Sequence, residues 1–348
     1  MKNKFLIGII TFFVAIFSSI LILNLFNTNF KKNNYFVRKF SKNEILKFDK
    51  EYEKLFKNSS YDLFYSNSLL LEGKYEGIKR NMKNYNFYFS DFLFSKKINK
   101  NVSIPLSANI LLVDEKYILY DSKSKISRLE IKTDSIIQYD SRGIRVYSIV
   151  SLKNLPNKFL FFGEVNFTNI YKTGFFVFDI TNNKIEEIKI LKYSENVFNP
   201  EVRLMYSGIF QNVENNIITY TCDKNCKIFM FNDNGTLVNE LKTNDNTQIP
   251  KVIKKADSYF YSRDGLNLTN SGVFSNKKNL FVFSMASQYD NIIIIDQYSK
   301  LNLKYIQSFK LDYNNHNTSD IMNIYINNNQ IILKFDSSYA SFIFSRFI

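Results

Sequence analysis

The chain has 348 residues, 45% of them hydrophobic and 17% aromatic, with a formal net charge of +14. That apolar content excludes an intrinsically disordered chain and is enough to bury one large core. The positive charge is Lys scattered through nearly every turn, without an Arg-bearing stripe, which argues against a nucleic-acid partner and suits acidic polymers or anionic head groups.

After Met1, Lys2, Asn3 and Lys4, residues 5–26 form an uncharged apolar run. Its length suits a bilayer-spanning helix, whereas a cleaved signal has a shorter apolar stretch and a small-x-small site, which is missing after Leu21. The expectation is an uncleaved signal anchor over residues 1–30, a single-pass cell-membrane location and a periplasmic or extracellular C-terminal domain. A cleaved signal peptide is the alternative. Lys31, Lys32, Arg38, Lys39 and Lys42 outnumber Lys2 and Lys4, which by charge count favours the reverse orientation. The short basic start before an apolar run favours an inside N-terminus. Residues 31–60 read as a linker and a short amphipathic, membrane-proximal helix. Ser41-Lys42-Asn43-Glu44 has the form of a capping box, and Ile45, Leu46, Phe48, Tyr52, Leu55 and Phe56 follow at helical spacing, predicting a helix over 42–56.

From residue 61 to 348 helix signals give way to strand-length apolar runs between polar turns, including 85–94, 110–113, 144–150, 159–165, 205–210, 280–283 and 331–335. Four segments share one grammar: a strand run closing on Asp or Asn, a polar turn, and a further apolar run. In 174–190, Phe175, Phe176, Val177 and Phe178 lead to Asp179, a turn follows, and Ile185, Ile188 and Ile190 resume the pattern. Segments 117–131, 227–241 and 291–309 repeat it, closing on Asp121, Asn232 and Asp296. Each reads as two outer strands of a sheet joined by a hairpin. The closing residues recur at about the interval of one four-stranded blade with insertions. The prediction is an all-β chain forming a β-propeller of about six blades over 61–348. The alternating segment 339–348 is expected to pair into the blade begun by the other chain end, since so apolar an edge would otherwise invite aggregation.

Cys222 ends one apolar run and Cys226 opens the next, with Asp223, Lys224 and Asn225 as turn material. In an oxidising compartment the pair is expected to face across the hairpin as a disulfide, the alternative being two free, partly buried thiols. A single His excludes a His-rich zinc centre, and three residues between the cysteines exclude a c-type haem motif.

The motifs at 175–190 and 228–241 resemble the strand-turn-strand repeats of six-bladed propellers of the NHL-repeat and TolB-like type. The resemblance spans 58–348 in pattern. It implies a ring of blades with one face binding a protein, peptide or glycan, and it brings no catalytic residue with it.

Candidate chemistry is sparse. His316 lies in a polar Asn-rich loop and reads as solvent-exposed. Asn232-Asp233-Asn234-Gly235 is a hairpin turn rather than a calcium loop, because Leu237 and Val238 occupy the later ligand positions. No Gly-rich phosphate loop or nucleophile elbow occurs. Glu164, Asn166, Asn199, Glu201 and Asn212 lie near strand entrances and are candidates for a central calcium, as a propeller lactonase requires. The function expected is a membrane-anchored propeller that binds or scaffolds an envelope protein, peptide or glycan, without catalysis and without a cofactor. The alternative is a calcium-dependent hydrolase or lyase of the propeller lactonase type.

Overall fold

The computed structural model describes residues 36–344 except 54–69, 91–96, 115, 124, 196–198, 214–215, 246, 257, 263–267, 286–291, 312, 314–319 and 328–329. The compact unit Arg38–Ile348 carries six sheets of three or four antiparallel strands and one added hairpin. Three described strands of blade 1 are β2 (Leu70–Lys79), β3 (Met82–Ser90) and β4 (Lys97–Pro105). Blade 2 is β5 (Asn109–Val113), β6 (Tyr117–Ser122), β7 (Lys125–Glu130) and β8 (Ile136–Asp140); blade 3 is β9 (Ile144–Leu152), β10 (Leu155–Phe167), β11 (Ile170–Asp179) and β12 (Lys184–Glu195). Blade 4 is β13 (Gly208–Val213), β14 (Ile217–Cys222), β15 (Lys227–Asn232) and β16 (Leu237–Lys242). After the hairpin β17 (Val252–Lys255) and β18 (Ser258–Tyr261), blade 5 is β19 (Asn270–Ser275), β20 (Asn279–Ser284), β21 (Ile293–Ser299) and β22 (Tyr305–Leu311). Blade 6 joins β23 (Asn323–Asn327), β24 (Gln330–Lys334) and β25 (Ser338–Phe344) to β1 (Leu46–Glu53). The inner strands β5, β9, β13, β19 and β23 touch one another in succession around the centre.

The central strands of blades 2 to 6 are buried on both faces, and this explains runs that are apolar throughout instead of alternating. Along β10, Phe159 and Phe161 pack with Leu119, Ile126, Phe176 and Phe178 against blade 2, while Leu160 and Phe162 pack with Phe175, Tyr220, Phe229 and Phe231 against blade 4. The pleat sends successive side chains into successive seams. The turns follow local chemistry. Asp179 Oδ1 accepts the amides of Thr181 and Asn182 at 3.0 and 3.2 Å, and Asn232 Oδ1 accepts those of Asn234 and Thr236 at 3.1 and 2.9 Å. Gly235 has φ +84°, and a Cβ there would stand 2.6 Å from Val177 Cγ2, so glycine is required on both counts.

Two of the four repeated segments differ from their sequence reading. Segment 117–131 is the second and third strand of its blade, β6 and β7, not an outer pair. Asp296 does not close a strand: β21 runs on to Ser299, and Asp296 is buried in its middle.

Where a helix is predicted over 42–56, residues 46–53 are instead β1, which pairs with β25 from Leu46 opposite Phe344 to Glu53 opposite Ser338, with a bulge near Asp49, while 54–56 lie outside the described residues. The capping-box pattern is overridden because pairing here covers the apolar edge of β25 and buries Ile45 and Leu46 among Phe274, Ile295 and Phe342. The ring is therefore closed by the two chain ends, as the alternating C-terminus suggested.

The expected transmembrane helix over 5–26 lies outside the described residues. Among those described, no helix is long and apolar enough to cross a membrane. The helix α1 (Pro200–Met205) has six residues and extends about 9 Å, far short of a hydrocarbon core of about 30 Å. The membrane-anchored reading, with its single-pass location and its periplasmic or extracellular placement of the C-terminal domain, is withdrawn on that finding.

Candidate binding face

The up-and-down order of strands sorts the connections onto two faces. The entry face, where inner strands begin, carries the inter-blade connections and the turns between second and third strands. Cross-turn hydrogen bonds tie these together: Asn166 N to Gly143 O at 2.8 Å, Asp223 N to Ser207 O at 3.0 Å, Thr269 N to Asp223 O at 2.8 Å and Leu106 N to Asn81 O at 3.1 Å. The opposite face carries first-to-second and third-to-fourth turns, tied by Ile131 N to Lys116 O, Ile180 N to Asn157 O and Lys300 N to Lys278 O. Its turns are short, such as 153–154, 180–183, 233–236 and 276–278. The longer connections, 196–207, 243–269, 285–292 and 312–322, all lie on the entry face.

Connection 196–207 contains α1, begun by Pro200 at its first position with Glu201 in the first turn and Arg203 in the last, where the helix dipole favours each sign. The Glu164 carboxylate on β10 is fully buried beneath it. It accepts Tyr147 Oη at 2.6 Å, Thr173 Oγ1 at 3.1 Å and the Asn199 amide at 2.5 Å. Burial, and then the Glu164 hydrogen bond, raise the Tyr147 hydroxyl above the ordinary tyrosine range. The Arg203 guanidinium lies over the Tyr147 ring, 5.0 Å from its centroid.

Of the five calcium candidates, the structure brings Glu164 and Asn199 together, but through the Asn199 backbone. Asn166 Oδ1 accepts the Asn169 amide at 2.9 Å, Glu201 lies 3.6 Å from Lys192, and the side chain of Asn212 and the loop residue His316 fall outside the described set. Glu164 already accepts from three donors, and Asn199 reaches it with a backbone amide where a calcium would require an acceptor. Among the described residues no group of three His, Cys, Asp or Glu is arranged to hold a metal.

Cys222 and Cys226 are buried free thiols. The hairpin ladder ends with the pair Thr221 and Ile228. Cys222, still on β14, is thereby turned to the sheet face that packs with Phe162 and Tyr220, while Cys226 sits in the turn. A one-residue difference in register decides which face a side chain takes. Burial pushes the Cys222 thiol well above its ordinary range.

Between blades 2 and 3 the entry face opens into a cavity of about 350 Å³. Asn109, Asp121, Lys123, Ser141, Gly143 and Arg145 are among its lining residues. Asp121 Oδ1 accepts the Asn109 amide at 3.2 Å, and Ser107 and Ser122 share a hydroxyl contact of 2.9 Å at its rim. Gly143 turns the chain into blade 3 with φ +79°, and a Cβ there would come within 2.9 Å of Asn166 Cβ. The cavity is small, polar and mixed in charge, formed where connections 106–108 and 141–143 are short and leave the seam uncovered. Sequence reasoning missed it because its residues come from three separate turns. The signal available was the polar composition of those turns, shared with every other turn in the chain.

Strand order and closure define a six-bladed β-propeller with one elaborated face. No protein-family model matches the sequence, and no curated protein matches it. Among solved structures the chain is similar to a DUF4221-family member from Bacteroides vulgatus, at 12% identity over 88% of this chain and 99% of that one, with a TM-score of 0.46. It is also similar to virginiamycin B lyase from Staphylococcus aureus, at 11% identity, 80% and 100% coverage and a TM-score of 0.38. A luciferin-regenerating enzyme matches at 8% identity, 85% and 95% coverage and a TM-score of 0.42. Likeness at this level carries no inference about function.

Proposed function

We propose that this propeller is a binding module whose entry face receives a short polar ligand, a peptide or glycan segment, in the cavity between blades 2 and 3. The observation that carries the reading is the coincidence of that cavity with the face holding every longer connection, since loops on a rigid scaffold are where recognition residues accumulate. Asp121, Lys123 and Arg145 offer an acceptor and two cationic donors, a set suited to hydroxyl, amide and carboxylate groups.

The test is a screen of peptide and glycan panels against the full chain, followed by calorimetry on any hit. Asp121→Asn and Arg145→Ala are expected to weaken binding by about 1 to 3 kcal/mol each, the range for a lost charged hydrogen bond. A ligand whose affinity is indifferent to both changes would place recognition elsewhere and overturn the cavity assignment.

A further inference from the structure

The hairpin of β17 and β18 rises from connection 243–269 and is not part of any blade. Its register pairs Val252 with Tyr261, Ile253 with Phe260, Lys254 with Tyr259 and Lys255 with Ser258. Val252, Lys254, Tyr259 and Tyr261 therefore share one face and Ile253, Lys255, Ser258 and Phe260 the other. The first face is the seated one. Tyr261 Oη donates to Leu204 O at 2.9 Å and lies 3.4 Å from Ser207 Oγ, holding the hairpin against α1.

The other face is open. Phe260 is 50% exposed, Lys255 and Lys251 are exposed, and Ile253 is half-buried. Among the described residues β17 and β18 pair only with each other, and neither outer edge of the hairpin has a described strand beside it. A two-stranded ribbon is marginal alone and gains from a third strand. The hairpin sequence 251–261 holds Lys251, Lys254 and Lys255 against the single acid Asp257. A second copy of a chain with net charge +14 is repelled from such a surface, whereas an acidic chain is drawn to it.

We propose that this hairpin is a docking edge for an extended acidic segment of a partner protein, added as a third strand with its apolar side chains over Phe260 and Ile253 and its carboxylates toward Lys251 and Lys255. The main chain supplies affinity through ladder hydrogen bonds, and the lysines select the partner and its register. The proposal is independent of the cavity between blades 2 and 3, which lies on other blades.

The probe is a fluorescent octapeptide alternating Glu and Val, titrated against the full chain at low ionic strength and read by anisotropy. Saturable binding is expected, weakened at least about tenfold by the double change Lys251→Glu and Lys255→Glu, by Phe260→Ser, and by proline at alternate peptide positions, which removes the ladder donors. Far-UV circular dichroism of each variant establishes that the propeller is intact. The proposal is overturned if the wild-type chain shows no saturable binding, if folded variants bind as wild type does, or if the proline-bearing peptide binds equally. It is equally overturned if phosphatidylglycerol vesicles or poly-uridylate engage these lysines while the peptide does not.

Discussion

Arg38 is the residue on which the most separate parts of the chain converge. Its side chain is fully buried. Nε donates to Asp296 Oδ1 at 3.0 Å, and Nη2 donates to Asp245 Oδ1 at 2.7 Å, Ser284 Oγ at 2.8 Å and Asp296 Oδ2 at 3.0 Å. Ser308 Oγ donates to Asp296 Oδ1 at 2.6 Å, and Ser308 in turn meets Tyr305 Oη. One cation thus ties the N-terminal segment to blade 5 and to connection 243–269. Arg38→Ala leaves two buried carboxylates without their counter-ion and is expected to cost about 3 to 5 kcal/mol in denaturant unfolding, with Lys recovering only part because it lacks the planar fork. Burial, and then the neighbouring Asp296, raise the Asp245 carboxyl above the ordinary range despite Arg38. A carboxyl raised in the fold binds its proton more tightly there than in the unfolded chain. Its contribution to stability is therefore greatest on the acid side and falls as pH rises from about 4 through the raised value. Unfolding midpoints measured from about pH 4 to neutrality should show that decline, and Asp245→Asn should flatten it. None of this was visible in the sequence. Asp296 read as a strand-closing turn residue because Asp179 and Asn232, in similar settings, do cap their turns.

At the level of elements, the seams were more legible than the edges. Runs such as 159–162 and 175–178 identified themselves because a blade strand buried on both faces needs apolar residues at every position. β1 did not, since its sequence, Leu-Lys-Phe-Asp-Lys-Glu-Tyr-Glu, is the outermost strand, exposed along most of its length, and carries acceptable helical spacing. What decides its state is β25, whose edge Tyr339, Ala340 and Phe342 would be bare without it. Chains lacking residues 1–53 are expected to expose that edge and lose Arg38 together. Size-exclusion chromatography should find them aggregated or polydisperse, while a chain keeping residue 36 onward remains monodisperse if closure resides in β1 and Arg38. Monodisperse behaviour of the shorter chain would refute β1 as the closing element. Among the candidate site residues, Glu164, late in β10, and Asn199, just ahead of α1, meet each other. Their partnership, a carboxylate receiving a backbone amide at a helix start, serves to seat α1.

For the molecule as a whole, the uneven distribution of connections separates a plain face from an elaborated one. The described turns of the plain face are short, and side chains cap their own backbone in some of them, as Asp179 and Asn232 do. The entry face combines a polar cavity, the seated helix α1 and the projecting β17–β18 hairpin. A meander of antiparallel strands forces this sorting, because each successive turn alternates sides. By itself the sequence determined that the chain folds as repeated, doubly buried strands, that the repeats build about six blades and that the C-terminal run closes the ring, since these follow from local periodicity and turn chemistry. Only the tertiary structure decided that residues 46–53 are a strand, that Arg38 joins Asp245 and Asp296, that Cys222 is turned into the core against Phe162 and Tyr220, and that three distant turns enclose one cavity. Each of these depends on a partner far away in the chain, and neither hydrophobic period nor turn propensity carries information about which distant edge, charge or face will be waiting there.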